Sequence, residues 1–86
     1  MPKTDLEYKA DAFNLVLNER KNQDIKWGKQ NHVPHTWLVI LMEEVGEMAK
    51  EIQEKKPALY REELIQVAAV AMAALECCLR NGENYV

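Results

Sequence analysis

Glycine and proline are scarce in this chain, with three of each in 86 residues. Breaks between elements are therefore few, and no stretch alternates apolar with polar residues as a strand does. The two absences together predict an all-α protein. A basic surplus is also missing. The formal net charge is −3, which argues against a nucleic-acid partner and says little about a small phosphate ligand carried by a metal. The longest uninterrupted apolar run, Val67 to Leu75, falls far short of the roughly 20 residues a membrane span needs, so no membrane partner is expected. The opening Met1-Pro2-Lys3-Thr4-Asp5 is polar and carries no secretory signal pattern, so a soluble, cytoplasmic protein is expected. The only two cysteines are adjacent, Cys77-Cys78. They lack the Cys-x-x-Cys spacing of a zinc site and read as small buried residues near a helix end.

What the chain has is apolar residues, 48% of the total, too many for a disordered segment. Its length suits one domain, residues 1–86, with a modest core. The expected fold is a compact antiparallel helical bundle of three main helices, completed by homo-oligomerisation. Thr4-Asp5-Leu6-Glu7 has the form of a capping box. Behind it Leu6, Ala10, Phe13, Val16, Leu17 and Arg20 recur at steps of three and four, a helical stripe that runs on to about Lys26 or Trp27, where Gly28 terminates it. Gly28 to His35 is the one real loop. A second helix is expected from His35 or Thr36, with Leu38, Leu41, Val45, Met48 and Ile52 as its buried seam. Lys55 and Lys56 suit its C-terminal dipole and Pro57 stops it. Pro57 also fits the first turn of a third helix. Between Leu64 and Leu79 only Gln66 and Glu76 interrupt that helix's apolar character, which predicts a central, buried helix ending at Gly82, with a short tail over 83–86.

Carboxylates are concentrated on the last two helices. Glu44 and Glu47 are three apart and share a face with Trp37, Ile40 and Glu51. Glu43 with Glu47, and Glu47 with Glu51, are like-charge pairs at a spacing of four, each costing about 0.2–0.5 kcal/mol on an exposed helix. On the third helix Glu63 and Gln66 are three apart. A buried amide without partners costs roughly 1–3 kcal/mol, so Gln66 marks a polar environment. If the second and third helices pack antiparallel, three carboxylates and one amide carbonyl face each other across a groove. That is a hard oxygen set, suited to Mg²⁺ or Mn²⁺ and unlike a zinc site. Acidic helix faces are often merely solvated. The coincidence of two paired motifs beside the most apolar helix favours a metal site.

These motifs, Glu-Glu-x-x-Glu at 43–47 and Glu-x-x-Gln at 63–66, resemble those of the all-α nucleoside triphosphate pyrophosphohydrolases, the MazG-like superfamily. That family carries Glu-Glu-x-x-Glu and then Glu-x-x-Asp on consecutive helices around Mg²⁺. The segments Trp37 to Glu47, Arg61 to Ala71 and Lys26 to His32 strengthen the likeness, which spans roughly residues 10–80.

The resemblance implies Mg²⁺-dependent hydrolysis of a (deoxy)nucleoside triphosphate to the monophosphate and pyrophosphate. Carried over by position, Glu44, Glu47, Glu63 and Gln66 would hold the metal. Gln66 stands where the family usually has Asp, which removes one negative charge and should lower metal affinity. Glu43 would take a proton from the attacking water. Lys50 and Arg61 would supply positive charge to phosphate or else serve as ion-pair partners for neighbouring glutamates. Trp27 and Trp37 would offer flat surfaces to a base, or else pack at a helix junction. Gln30, Asn31 and His32 would offer hydrogen-bond donors and acceptors. The family's four-helix arrangement implies a homodimer or dimer of dimers here. A catalytically weakened module that binds nucleotide or a partner is the alternative.

Overall fold

In the computed structural model, residues 1–82 are described; the expected tail over 83–86 lies outside them. Three helices follow one another: α1 (Asp5–Trp27), α2 (Pro34–Gln53) and α3 (Pro57–Asn81). The chain is all-α. Each boundary has a local cause. The Glu7 amide donates to Thr4 Oγ1 at 3.2 Å and the Thr4 amide donates to Glu7 Oε1 at 3.2 Å, closing the capping box at the start of α1. Gly28, at φ 71°, takes the left-handed turn that ends α1, and its amide reaches Asp24 O at 2.8 Å. Helix α2 starts at Pro34, slightly earlier than expected. The fixed φ of proline suits the first helical position, while Val33 before it is held extended at ψ 155°. The break to α3 is shorter, residues 54–56. Lys55 turns through φ 56° and Pro57 opens α3 at its first position.

Helix α3 is central, packing against both α1 and α2, which do not approach each other closely. The core joins Trp37 of α2 to Val70, Ala73 and Cys77 of α3, with Ile40, Leu41 and Ala74 packed against it. The expected seam of α2 is covered only in its middle, where Leu41, Val45 and Met48 are half-buried. Leu38 and Ile52 are exposed, whereas Trp37 is buried and Glu44 and Glu51 are half-buried. Burying the large Trp37 ring widens the covered stripe on that side. Glu44 and Glu51, expected at the flank, thus lie toward α3.

Two further expectations change. Helix α3 is apolar nearly all round but buried only where α1 and α2 cover it; Leu64, Leu75 and Leu79 are exposed. Cys77 is buried and Cys78 exposed, as two adjacent positions on a helix must diverge. On α1, only the second half leans on α3. Leu6, Ala10 and Phe13 are exposed, Val16 and Leu17 half-buried, and Arg20 and Gln23 buried. The chain consequently exposes 6677 Å², against about 5,200 Å² for an average folded monomer of 10.0 kDa. Its radius of gyration is 14.6 Å, against about 12 Å for a compact domain of this length.

Candidate functional site

The antiparallel α2–α3 hairpin brings Glu44 within hydrogen-bonding reach of Glu63, with Glu47 and Glu51 adding negative charge nearby. Two carboxylates share a hydrogen bond only if one carries a proton. Burial, then Glu44, then the remaining charges raise the Glu63 carboxyl to about 7. Glu51 Oε2 and Glu63 Oε2 are sealed from solvent and have no hydrogen-bond partner. The carboxylates ring the groove without closing on one point: among the described residues no three His, Cys, Asp or Glu side chains form a ready metal-binding group.

Helix α1 supplies the opposite wall. Glu19, Asn22, Gln23, Lys26 and Trp27 face Glu44, Glu63 and Gln66 across a cavity of about 320 Å³. A smaller recess of about 70 Å³ continues from it, between Trp27, Gln30 and Trp37. The Lys26 ammonium lies over the Trp27 ring, 4.8 Å from its centroid.

A buried polar chain fixes this wall. Arg20 is 8% exposed and Gln23 is 7% exposed. Arg20 Nε donates to Glu76 Oε2 at 2.6 Å and its Nη2 to Glu76 Oε1 at 3.1 Å. Nη2 also donates to Asp24 Oδ1 at 2.9 Å, and Nη1 to Gln23 Oε1 at 2.9 Å. Gln23 Nε2 then donates to Gln66 Oε1 at 3.2 Å. Both polar interruptions of α3, Gln66 and Glu76, are thus met by α1.

The structure brings together Trp27, Glu44, Glu63 and Gln66 at the cavity, with Gln30 at the recess. Glu47 is exposed and does not line the cavity, though its charge acts on Glu63. Glu43 is exposed and does not line the cavity, and neither do Lys50 and Arg61. Lys50 and Arg61 make no ion pair within 4 Å among the described residues. Trp37 is 7% exposed and sits in the core, with the His32 ring edge-on to it at 4.9 Å, so its face is not open to a base. Asn31 Oδ1 accepts from Arg80 Nη2 and Asn81 Nδ2, both at 3.0 Å, which ties the loop to the end of α3. Glu19, Asn22, Gln23 and Lys26 line the cavity although no motif marked them. The available signal was Arg20, a cation standing on the apolar stripe of the first helix. The chain matches no protein-family model, no curated protein and no solved structure.

Proposed function

We propose that the groove is the active site of a divalent-cation-dependent nucleoside triphosphate pyrophosphohydrolase, acting on a (d)NTP to give the (d)NMP and pyrophosphate. The observation that carries this reading is the half-buried Glu44–Glu63 pair, crowded by the charges of Glu47 and Glu51 and with Glu63 Oε2 left unpartnered. A cation bound beside the pair would offset the negative charge that Glu44, Glu47 and Glu51 crowd around Glu63. The donor chemistry fits: Glu44, Glu47 and Glu63 are hard oxygen ligands of the kind Mg²⁺ or Mn²⁺ takes, and Glu51 adds charge from the next turn. The ion would bind phosphate oxygens and offset charge developing on them. On the opposite wall Lys26 offers a cation to phosphate and Trp27 an exposed ring to a base. Glu43, the expected proton acceptor, lies outside the cavity, as do Lys50 and Arg61.

The test is release of pyrophosphate from a panel of nucleoside triphosphates in Mg²⁺ or Mn²⁺. No release from any of them sinks the catalytic reading. One observation favours the second reading, a nucleotide-binding module without turnover: the Gln66 oxygen already serves Gln23. Binding of triphosphate without hydrolysis, with activity gained in Gln66→Asp, would favour that alternative.

The reading includes a homodimer. Trp37, Leu38 and Leu41 of α2 and Val70, Ala74 and Leu75 of α3 line an apolar cleft of about 360 Å³. The surface in excess of an average monomer's is about 1,400–1,500 Å². That is more than the roughly 800 Å² each partner gives to a standard interface. A second copy offers the same apolar surface and suits an isologous contact.

A further inference from the structure

We propose that Gln66 serves the groove as a hydrogen-bond donor to an anionic oxygen of the ligand, and that Gln23 and Arg20 are positioning residues that fix it in that role. The inference rests on the phosphate-ligand reading above. It differs from that reading's family precedent, in which the residue at this position gives lone pairs to a cation.

The argument starts at the charged end of the buried chain. A guanidinium only donates. Arg20 Nη1 lies 2.9 Å from the Gln23 amide, so the group facing it must be the Gln23 oxygen. The Gln23 NH₂ then points the other way, toward Gln66 at 3.2 Å. What meets an NH₂ must be an acceptor, so the Gln66 oxygen faces α1 and its own NH₂ is turned away. The polarity runs one way, from Glu76 through Arg20 and Gln23 to Gln66. Turning Gln66 over would set two NH₂ groups against each other. It would also leave the nine-tenths-buried Gln23 amide without its acceptor. Gln66 Nε2 has no hydrogen-bond partner among the described residues, and its side chain lines the cavity with Glu44 and Glu63. A donor beside a carboxylate cluster suits a phosphate oxygen whose charge is shared with a cation held by those carboxylates.

Two titrations test this on Gln66→Met, with circular dichroism confirming the helical fold: Mn²⁺ alone, and a non-hydrolysable nucleoside triphosphate analogue at saturating Mn²⁺. The expected result is Mn²⁺ affinity within twofold of the unmodified protein and analogue affinity weaker by about five- to twentyfold. Gln23→Met, which frees Gln66 to turn its oxygen into the groove, is expected to weaken the analogue and tighten Mn²⁺. The unmodified protein gives an independent measure. Its Gln66 side-chain ¹⁵NH₂ signals should shift on adding the analogue with Mg²⁺ and stay in place with Mg²⁺ alone. Loss of Mn²⁺ affinity beyond fivefold in Gln66→Met, or an equal shift with Mg²⁺ alone, overturns the inference and leaves the metal reading standing. An unmodified protein that binds neither Mn²⁺ nor the analogue overturns both.

Discussion

The Arg20 guanidinium grips the Glu76 carboxylate through two hydrogen bonds, and this is the one ion pair that joins α1 to α3 among the described residues. The two residues are 56 apart in the chain. The contact therefore forms only once α1 has docked, and it sets how far α1 stands from the carboxylates of α2 and α3.

Removing Arg20 leaves Glu76 and the Gln23 oxygen without their donor in a partly buried position. Breaking one member of a buried pair costs about 3–5 kcal/mol, and Glu76 keeps some solvent access at 34% side-chain exposure. We expect Arg20→Met to lower the unfolding free energy by about 2–4 kcal/mol, and Arg20→Met with Glu76→Met to recover part of the loss. Urea denaturation measures both. A single variant within about 0.5 kcal/mol of the parent, the size of an ordinary surface change, would mean that α1 is held by its apolar contacts alone.

Glu63 gives a pH dependence whose sign is fixed. Its carboxyl is raised from the usual 4.5 to about 7 in the folded state. Between those values the folded chain holds a proton that the unfolded chain has released, so metal-free stability falls as pH rises through this window and is level outside it. The loss is on the order of 1–2 kcal/mol once screening by nearby water is allowed for. Denaturation curves at pH 5 and pH 8 should therefore differ more in the parent than in Glu63→Gln. Identical differences in both would remove Glu63 as the titrating group.

The order of the charges acting on Glu63, Glu44 before Glu47 before Glu51, predicts an order of relief. In the absence of metal, Glu47→Gln should raise stability by about 0.2–0.5 kcal/mol. Glu44→Gln should raise it more, because Glu44 reaches Glu63 directly. Both should shrink the rise in melting temperature on adding Mg²⁺, since a ligand stabilises in proportion to its binding to the folded state. Thermal melts with and without Mg²⁺ decide the matter. If metal-free Glu47→Gln melts lower than the parent, Glu47 has a structural partner and the repulsion account fails.

Local signals carried most of the fold. The capping box at Thr4, the stop at Gly28 and the Pro57 start each depend on a few adjacent residues, and each stands where the sequence puts it. The burial of Trp37 and the exposure of Leu38 were not legible, because spacing alone does not say how far the buried stripe of α2 extends to either side of the Leu41 line. Gln66 and Glu76 were legible as interruptions of an apolar helix. Their partners were not, because Arg20 and Gln23 lie 56 and 43 residues away along the chain. Arg20 sat on the apolar stripe of the first helix, and a cation in that position is the one local hint of a buried partner.

The apolar cleft of α2 and α3 leads to the last expectation. Leu38 is 54% exposed and Leu75 59% exposed, so replacing either removes little from the interior of one chain. A buried charge at an apolar interface, by contrast, costs several kcal/mol. In sedimentation equilibrium we expect the parent at twice the 10.0 kDa of one chain. Leu38→Asp and Leu75→Asp should sediment as single chains at the same concentration. Their helical signal at low temperature should be largely retained, with melting temperatures that no longer rise with protein concentration, as those of a dimer must. A parent that sediments as a single chain at high micromolar concentration contradicts the interface. So do charged variants that stay dimeric, because a carboxylate could not remain in the cleft against an apolar partner.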